Sequence, residues 1–259
     1  MVEVAKGQLG RTERLLATML AQNGRTHIRM RAPRIAAAEE TRLDALRWLA
    51  IAAECRERNY QHTERVGRTS ALIAAQLGLG DSYAALIERA APLHDLGKLT
   101  VPVPLLLKRG RLTPPEWERM KRHTLDGAAI LAGGKTDLLR LAEQIARSHH
   151  ERWDGLGYPD GLRGGAIPLS ARIVALADVF DALVDERPYK EAWPVDRAVE
   201  EIRAQRGRHF DPLVVDCFER LDPHELAPSM PLRQLSNPPA RLELRRDVVD
   251  VRRGRSTVR

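Results

Sequence analysis

Between His94 and Lys190 the chain sets four of its eight histidines among acids and apolar residues. His94-Asp95 opens the stretch, His123 follows, then His149-His150, then Asp178. With His62 upstream they make seven side chains able to hold a metal. Imidazole nitrogen with carboxylate oxygen, and no thiolate, argues against structural zinc. It favours iron or manganese, with nickel, cobalt and catalytic zinc as alternatives. Seven donors exceed what one catalytic ion with an open position takes. They suit two divalent ions sharing a carboxylate, with Asp95 as the natural bridge, an arrangement fitted to in-line displacement at phosphorus. A lone histidine is usually a core or surface residue. The set is different, because its members recur at helix ends and beside glycines.

Helices must bring these residues together. Aromatics are 4% of the chain, so its core rests on Leu, Ile, Val and Ala, which favours packed helices. Residues 36–58 read as one helix, with Leu46, Leu49, Ala50 and Ala53 inward. His62 starts the next, which carries Val66, Ile73 and Leu77 and stops at Gly78-Leu79-Gly80. Asp81 or Ser82 is the expected cap of a third helix, ending near His94-Asp95. Val101-Pro102-Val103-Pro104 reads as extended. Thr113-Pro114-Pro115-Glu116 is a capping-box start of a helix that delivers His123, with a short helical piece following from Asp126 to Leu131. Residues 137–150 form another helix. The glycine-rich residues 151–167 form a loop whose length implies a role. Residues 170–183 form a buried helix, and its Asp178 and Asp181 need partners. Two more helices are expected, at 194–203 and from the Asp211-Pro212 cap to Phe218. Residues 1–44 read as an N-terminal helical or linker segment whose Thr12–Gln22 helix could pair two copies. Residues 221–259 read as a Pro-rich, then basic tail of uncertain structure, with a hairpin over 241–251 as one option.

Net charge is +7, which suits an anionic ligand without identifying it. No stable nucleic-acid complex is expected. Two cysteines outside any C-x-x-C pattern, no signal peptide, and no apolar run near the roughly 18 residues of a membrane span point to the cytoplasm.

The chain resembles the HD-GYP family of cyclic di-GMP phosphodiesterases, a branch of the HD-domain hydrolases, over about residues 45–220. The resemblance lies in His94-Asp95-Leu96-Gly97-Lys98, Val101-Pro102, Gly110-Arg111-Leu112-Thr113, Glu116-Trp117 and Met120-Lys121-Arg122-His123. It continues in His149-His150-Glu151, Gly157-Tyr158-Pro159, Asp178-Val179-Phe180-Asp181, Arg187-Pro188-Tyr189-Lys190 and His209-Phe210-Asp211-Pro212. It implies an all-α, HD-domain-like bundle that hydrolyses cyclic di-GMP to the linear dinucleotide or GMP in bacterial second-messenger signalling. On this resemblance His62, His94, Asp95 and Asp178 hold one ion, and Asp95, His123, His149 and His150 the other. Lys98 meets a phosphate oxygen, Arg187 and Lys190 hold the substrate, and Tyr158 lines the pocket. Asp181 is placed either with the substrate-facing groups or as a hydrogen-bond acceptor for a ligating histidine. The resemblance also admits contact with diguanylate cyclase (GGDEF) domains through the GYP loop.

Trinuclear members of the family carry a glutamate four residues before the first histidine. Here that position is Arg58, which cannot ligate a metal, so two ions are expected. The alternatives are an HD phosphohydrolase acting on another nucleotide, such as cyclic GMP-AMP, and a degenerate module that binds nucleotide or protein without turnover.

Overall fold

The computed structural model describes residues 40–53, 61–186 and 191–228. Among the described residues every regular element is helical. Residues 40–53 form α1. Then follow α2 (His62–Gln76), α3 (Asp81–Ala90), α4 (Val103–Leu106), α5 (Pro114–Lys121), α6 (His123–Leu131) and α7 (Asp137–Ser148). The last four are α8 (Leu169–Val184), α9 (Val195–Ala204), α10 (Pro212–Phe218) and α11 (Pro223–Leu226). Short 3-10 turns at Ala91–Leu93 and Leu96–Thr100 flank His94-Asp95.

Helix α8 is the axis of the bundle. It packs against α2, α7, α9 and α10, and α3 closes the ring through α2 and α7. Its Ile173, Val174, Leu176, Ala177 and Phe180 are buried, as a helix apolar on nearly all sides requires. Phe180 meets Phe218 of α10 edge to face, with ring centroids 5.0 Å apart. Burying one such ring stabilises the fold by about 1.5–3 kcal/mol. The core also takes in Leu43 of α1 and Leu226 of α11.

Four local expectations are corrected. Leu49 faces outward, 44% exposed, because Leu43, Leu46, Ala50 and Ala53 already complete the inner stripe of α1. The cap of α3 is Gly80, at φ 82°, a left-handed value that favours glycine, and Asp81 is the first helical residue. Val103-Pro104 is not extended but begins the one-turn α4, where proline fits a first-turn position lacking an N–H partner. Helix α5 ends at Lys121, and His123 is the first residue of α6, which runs unbroken through Asp126. The capping box at Thr113 and Glu116 forms as expected. Arg58, Arg187, Lys190, the Thr12–Gln22 helix and the 241–251 hairpin lie outside the described residues.

Residues 151–168 form the expected loop, carrying one 3-10 turn at Gly164–Ala166. It is tied to the bundle by Trp153 N–H donating to His209 O (3.0 Å) and Asp154 N–H to Arg208 O (2.8 Å). The His209 ring stacks on Phe210, centroids 4.3 Å apart. Burial, with Arg152 nearby, lowers its pKa to about 4. Below the ordinary value of about 6.5 the unfolded chain therefore binds a proton that the folded chain refuses. Stability should fall by on the order of 2 kcal/mol between pH 6.5 and 4 from this group. Chemical denaturation at pH 7 and pH 5 checks it: His209→Gln should flatten the pH slope.

Candidate metal centre

Five separate elements supply the donors. His62 starts α2, His94 and Asp95 sit between the two 3-10 turns, His123 starts α6, His149 and His150 follow α7, and Asp178 lies in α8. The potential ligand atoms of Asp95, His123, His149 and His150 lie within 4.8 Å of one another, as do those of His62, His94 and Asp178. Asp95 joins the two groups: its Oδ2 is 3.2 Å from His94 Nε2 and its Oδ1 is 3.4 Å from His123 Nε2. All seven sequence-predicted donors are thus brought to one place.

The backbone fixes which nitrogen of three rings faces inward. His94 Nδ1 donates to Ala91 O (2.9 Å), His123 Nδ1 to Met120 O (2.8 Å), and His149 Nδ1 to Ile145 O and Ala146 O (both 3.1 Å). A carbonyl only accepts, so each Nδ1 carries a proton and each ring turns its Nε2 inward. Two of these, on His123 and His149, face each other at 3.5 Å. His94 Nε2 and Asp95 Oδ1 are buried with no hydrogen-bond partner. Buried acceptors pointed at each other cost free energy unless a cation lies among them. The residues therefore fit divalent ions.

The electrostatics divide the donors. Burial alone would raise the pKa of Asp95, but Lys98, 2.7 Å away, and the imidazoles hold it well below the usual carboxylate range. Asp178 is held low as well, where burial is outweighed by His62. Burial pushes His123 down to about 4 and His150 well below its ordinary value, so both rings stay neutral donors. His94 and His62 behave differently. Burial would lower both, but Asp95 and Asp178 raise His94 above its ordinary value, and Asp178 and Asp181 raise His62 to about 10.

Asp181 does not face the substrate side. It is 3% exposed, and its Oδ2 accepts from His62 Nδ1 at 2.6 Å. Arg65 Nε donates to its other oxygen, and Arg65 Nη2 also lies 2.9 Å from Asp185. This leaves the carboxylate no free face, so the sequence reading that put it beside the substrate gives way to the one that made it a support for His62. Asp181→Asn should weaken metal binding by about 10–100-fold, as read by competition with a chelator.

Sequence reasoning missed two residues. Arg65 lies three positions after His62; the signal was the pair of Asp181, in α8, and Asp185, the residue just past its end, both buried and in need of a cation. Glu151, directly after the histidine pair, is 2% exposed. Its carboxylate accepts from Asp160 N (2.7 Å) and Leu162 N (3.0 Å) and so closes the loop on itself. That loop lays Tyr158 over His150, ring centroids 4.8 Å apart. Gly157 permits this, since a Cβ there would come within 2.4 Å of Arg152 N.

Residues 49–214 match the HD-domain family model, and the chain belongs to that family. Its motifs are those of the HD-GYP branch. It is 50% identical over 183 residues to the cyclic di-GMP phosphodiesterase response regulator RpfG of Xanthomonas campestris, covering 70% of this chain and 48% of that protein. It is 44% identical over 180 residues to the 3′3′-cGAMP-specific phosphodiesterase 2 of Vibrio cholerae, covering 69% of this chain and 34% of that protein. A crystal structure of a cyclic GMP-AMP-specific phosphodiesterase of V. cholerae shares the fold, with TM-score 0.51 and 22% identity over 69% of this chain and 48% of that one. The chain thus spans half or less of the length of these relatives. Among the described residues no helix is long and apolar enough to cross a membrane.

Proposed function

We propose that this chain is a metal-dependent phosphodiesterase that hydrolyses cyclic di-GMP to the linear dinucleotide or GMP. The observation that carries it is the inward set of imidazole lone pairs around the buried Asp95, in a chain half identical to a cyclic di-GMP phosphodiesterase over most of its length. His62, His94, Asp95 and Asp178 would hold one ion and Asp95, His123, His149 and His150 a second, with iron or manganese suited to this thiolate-free set. Bound there, divalent ions would supply Lewis acidity toward the phosphoryl group and water.

The protein's own residues do the rest. The three backbone-anchored histidines keep the donors in place before any ligand arrives, so little reorganisation is needed. Lys98, its side chain 21% exposed beside Asp95, brings a cation to where phosphoryl oxygens gain charge. Tyr158 stacks on His150 and shields it. Arg187 and Lys190 complete the reading as anchors of the anionic substrate. Leu156, 79% exposed on the GYP loop, is where a GGDEF-domain partner would dock. A cytoplasmic place of action belongs to the same reading.

The test is hydrolysis of cyclic di-GMP by purified protein reconstituted anaerobically with iron or manganese, with metal content measured in parallel. Metal-dependent release of linear dinucleotide or GMP is expected, with two ions per chain. Three ions per chain would defeat the binuclear part. The 44% identity to a cGAMP-specific enzyme favours one second reading, cyclic GMP-AMP as the preferred substrate. Side-by-side turnover separates the two.

A further inference from the structure

Helix α5 carries a large aromatic side chain that the mechanism does not use. Trp117 is 44% exposed, although it lies beside the metal centre. Its ring meets Tyr158 edge to face, centroids 5.8 Å apart, and Tyr158 in turn stacks on His150. An aromatic ledge therefore runs from a metal donor out to solvent. The helix beneath it is held at both ends. At its start Thr113 and Glu116 form the capping box, with Lys108 Nζ 2.6 Å from Glu116. At its end Met120 O accepts from His123 Nδ1. Trp117 is thus rigidly placed relative to the metal donors. Lys121, one turn further along α5, sets its Nζ 5.8 Å from the centre of the Tyr158 ring and 2.9 Å from Glu118, its ion-pair partner.

A part-exposed indole joined through Tyr158 to a metal donor offers a flat apolar face within reach of the centre. A rigid aromatic face with a cation at its side is what a purine nucleotide takes, with the base on the ring and the phosphate toward charge. We propose that Trp117 is a specificity-determining residue, the stacking platform for a purine base of the substrate. This rests on the phosphodiesterase reading and adds to it the part of the substrate that lies away from the scissile phosphate.

The experiment measures equilibrium binding of GMP and of ribose 5-phosphate to the metal-loaded full chain by dialysis. Wild type is compared with Trp117→Phe and Trp117→Leu, each checked for an unchanged melting temperature. Leucine keeps apolar bulk but has no π-face. It should weaken GMP binding by about ten-fold or more, leave ribose 5-phosphate binding unchanged, and be largely rescued by phenylalanine. Three results would overturn the assignment: Trp117→Leu binding GMP like wild type, both ligands weakening equally, or wild type holding the base-free sugar phosphate as tightly as GMP. None of these depends on turnover. Failure of the phosphodiesterase reading shows separately, as absence of metal-dependent hydrolysis of cyclic di-GMP by wild type.

Discussion

Asp95→Asn should lower kcat/KM for cyclic di-GMP by about a thousand-fold or more while the protein still folds. The carboxylate reaches both donor sets, at 3.2 Å from His94 Nε2 and 3.4 Å from His123 Nε2. An amide has the same shape but lacks the charge, and one of its ends donates where a cation needs an acceptor. Folding should survive because the amide oxygen can still accept from Lys98, and the amide N–H groups can donate toward the imidazole lone pairs. Metal content per chain should fall with activity. A folded, metal-loaded Asp95→Asn that turned over substrate like wild type would remove Asp95 from the centre of the mechanism.

Gly97→Ala should cost about 3 kcal/mol or more of stability and lose bound metal with it. A Cβ at Gly97 would stand 1.9 Å from His123 O and 2.5 Å from Gly127 N. Both are backbone atoms, so no side chain can swing aside. The turn carrying Asp95 and the helix starting at His123 touch here through glycine against glycine, and any added atom pries the two donor-bearing segments apart. Gly165→Ala is the matched control. It sits in the same protein with nothing within 4 Å of its Cβ, and its melting temperature should hardly move. Equal effects at the two positions would show that the close approach at Gly97 does not matter.

The donors were legible because their chemistry is local to the residue. Imidazole and carboxylate types, at helix ends and beside glycines, announce a metal site whatever the packing. Helix α8 was legible for a similar reason, since its uniform apolarity can only be buried. The supports were not legible. Arg65 carries no mark in its own neighbourhood. Its meaning comes from Asp181, 116 positions away, and only the α2–α8 contact brings them together. Asp181 was read two ways because its spacing from Asp178 says which helix face it shares but not what lies opposite. The junction at Lys121–His123 was misplaced because a single αR residue, Arg122, separates α5 from α6 without any glycine or proline to flag it. Leu49 shows the same limit: on α1 the inner stripe was read one position too wide.

The two donor sets differ in how far the chain must travel to close them. Asp95, His123, His149 and His150 all lie within residues 95–150, and α6 and α7 pack directly on each other. His62 and Asp178 meet only when α2 docks on α8, across most of the domain. Closure of long loops comes late and slowly. On loop-closure entropy alone the histidine-rich half is the cheaper one to assemble, and the His62 half cannot close until α8 is present. A nascent chain stalled before α8 would hold one donor set without the other, so full occupancy of the centre reports completion of the fold.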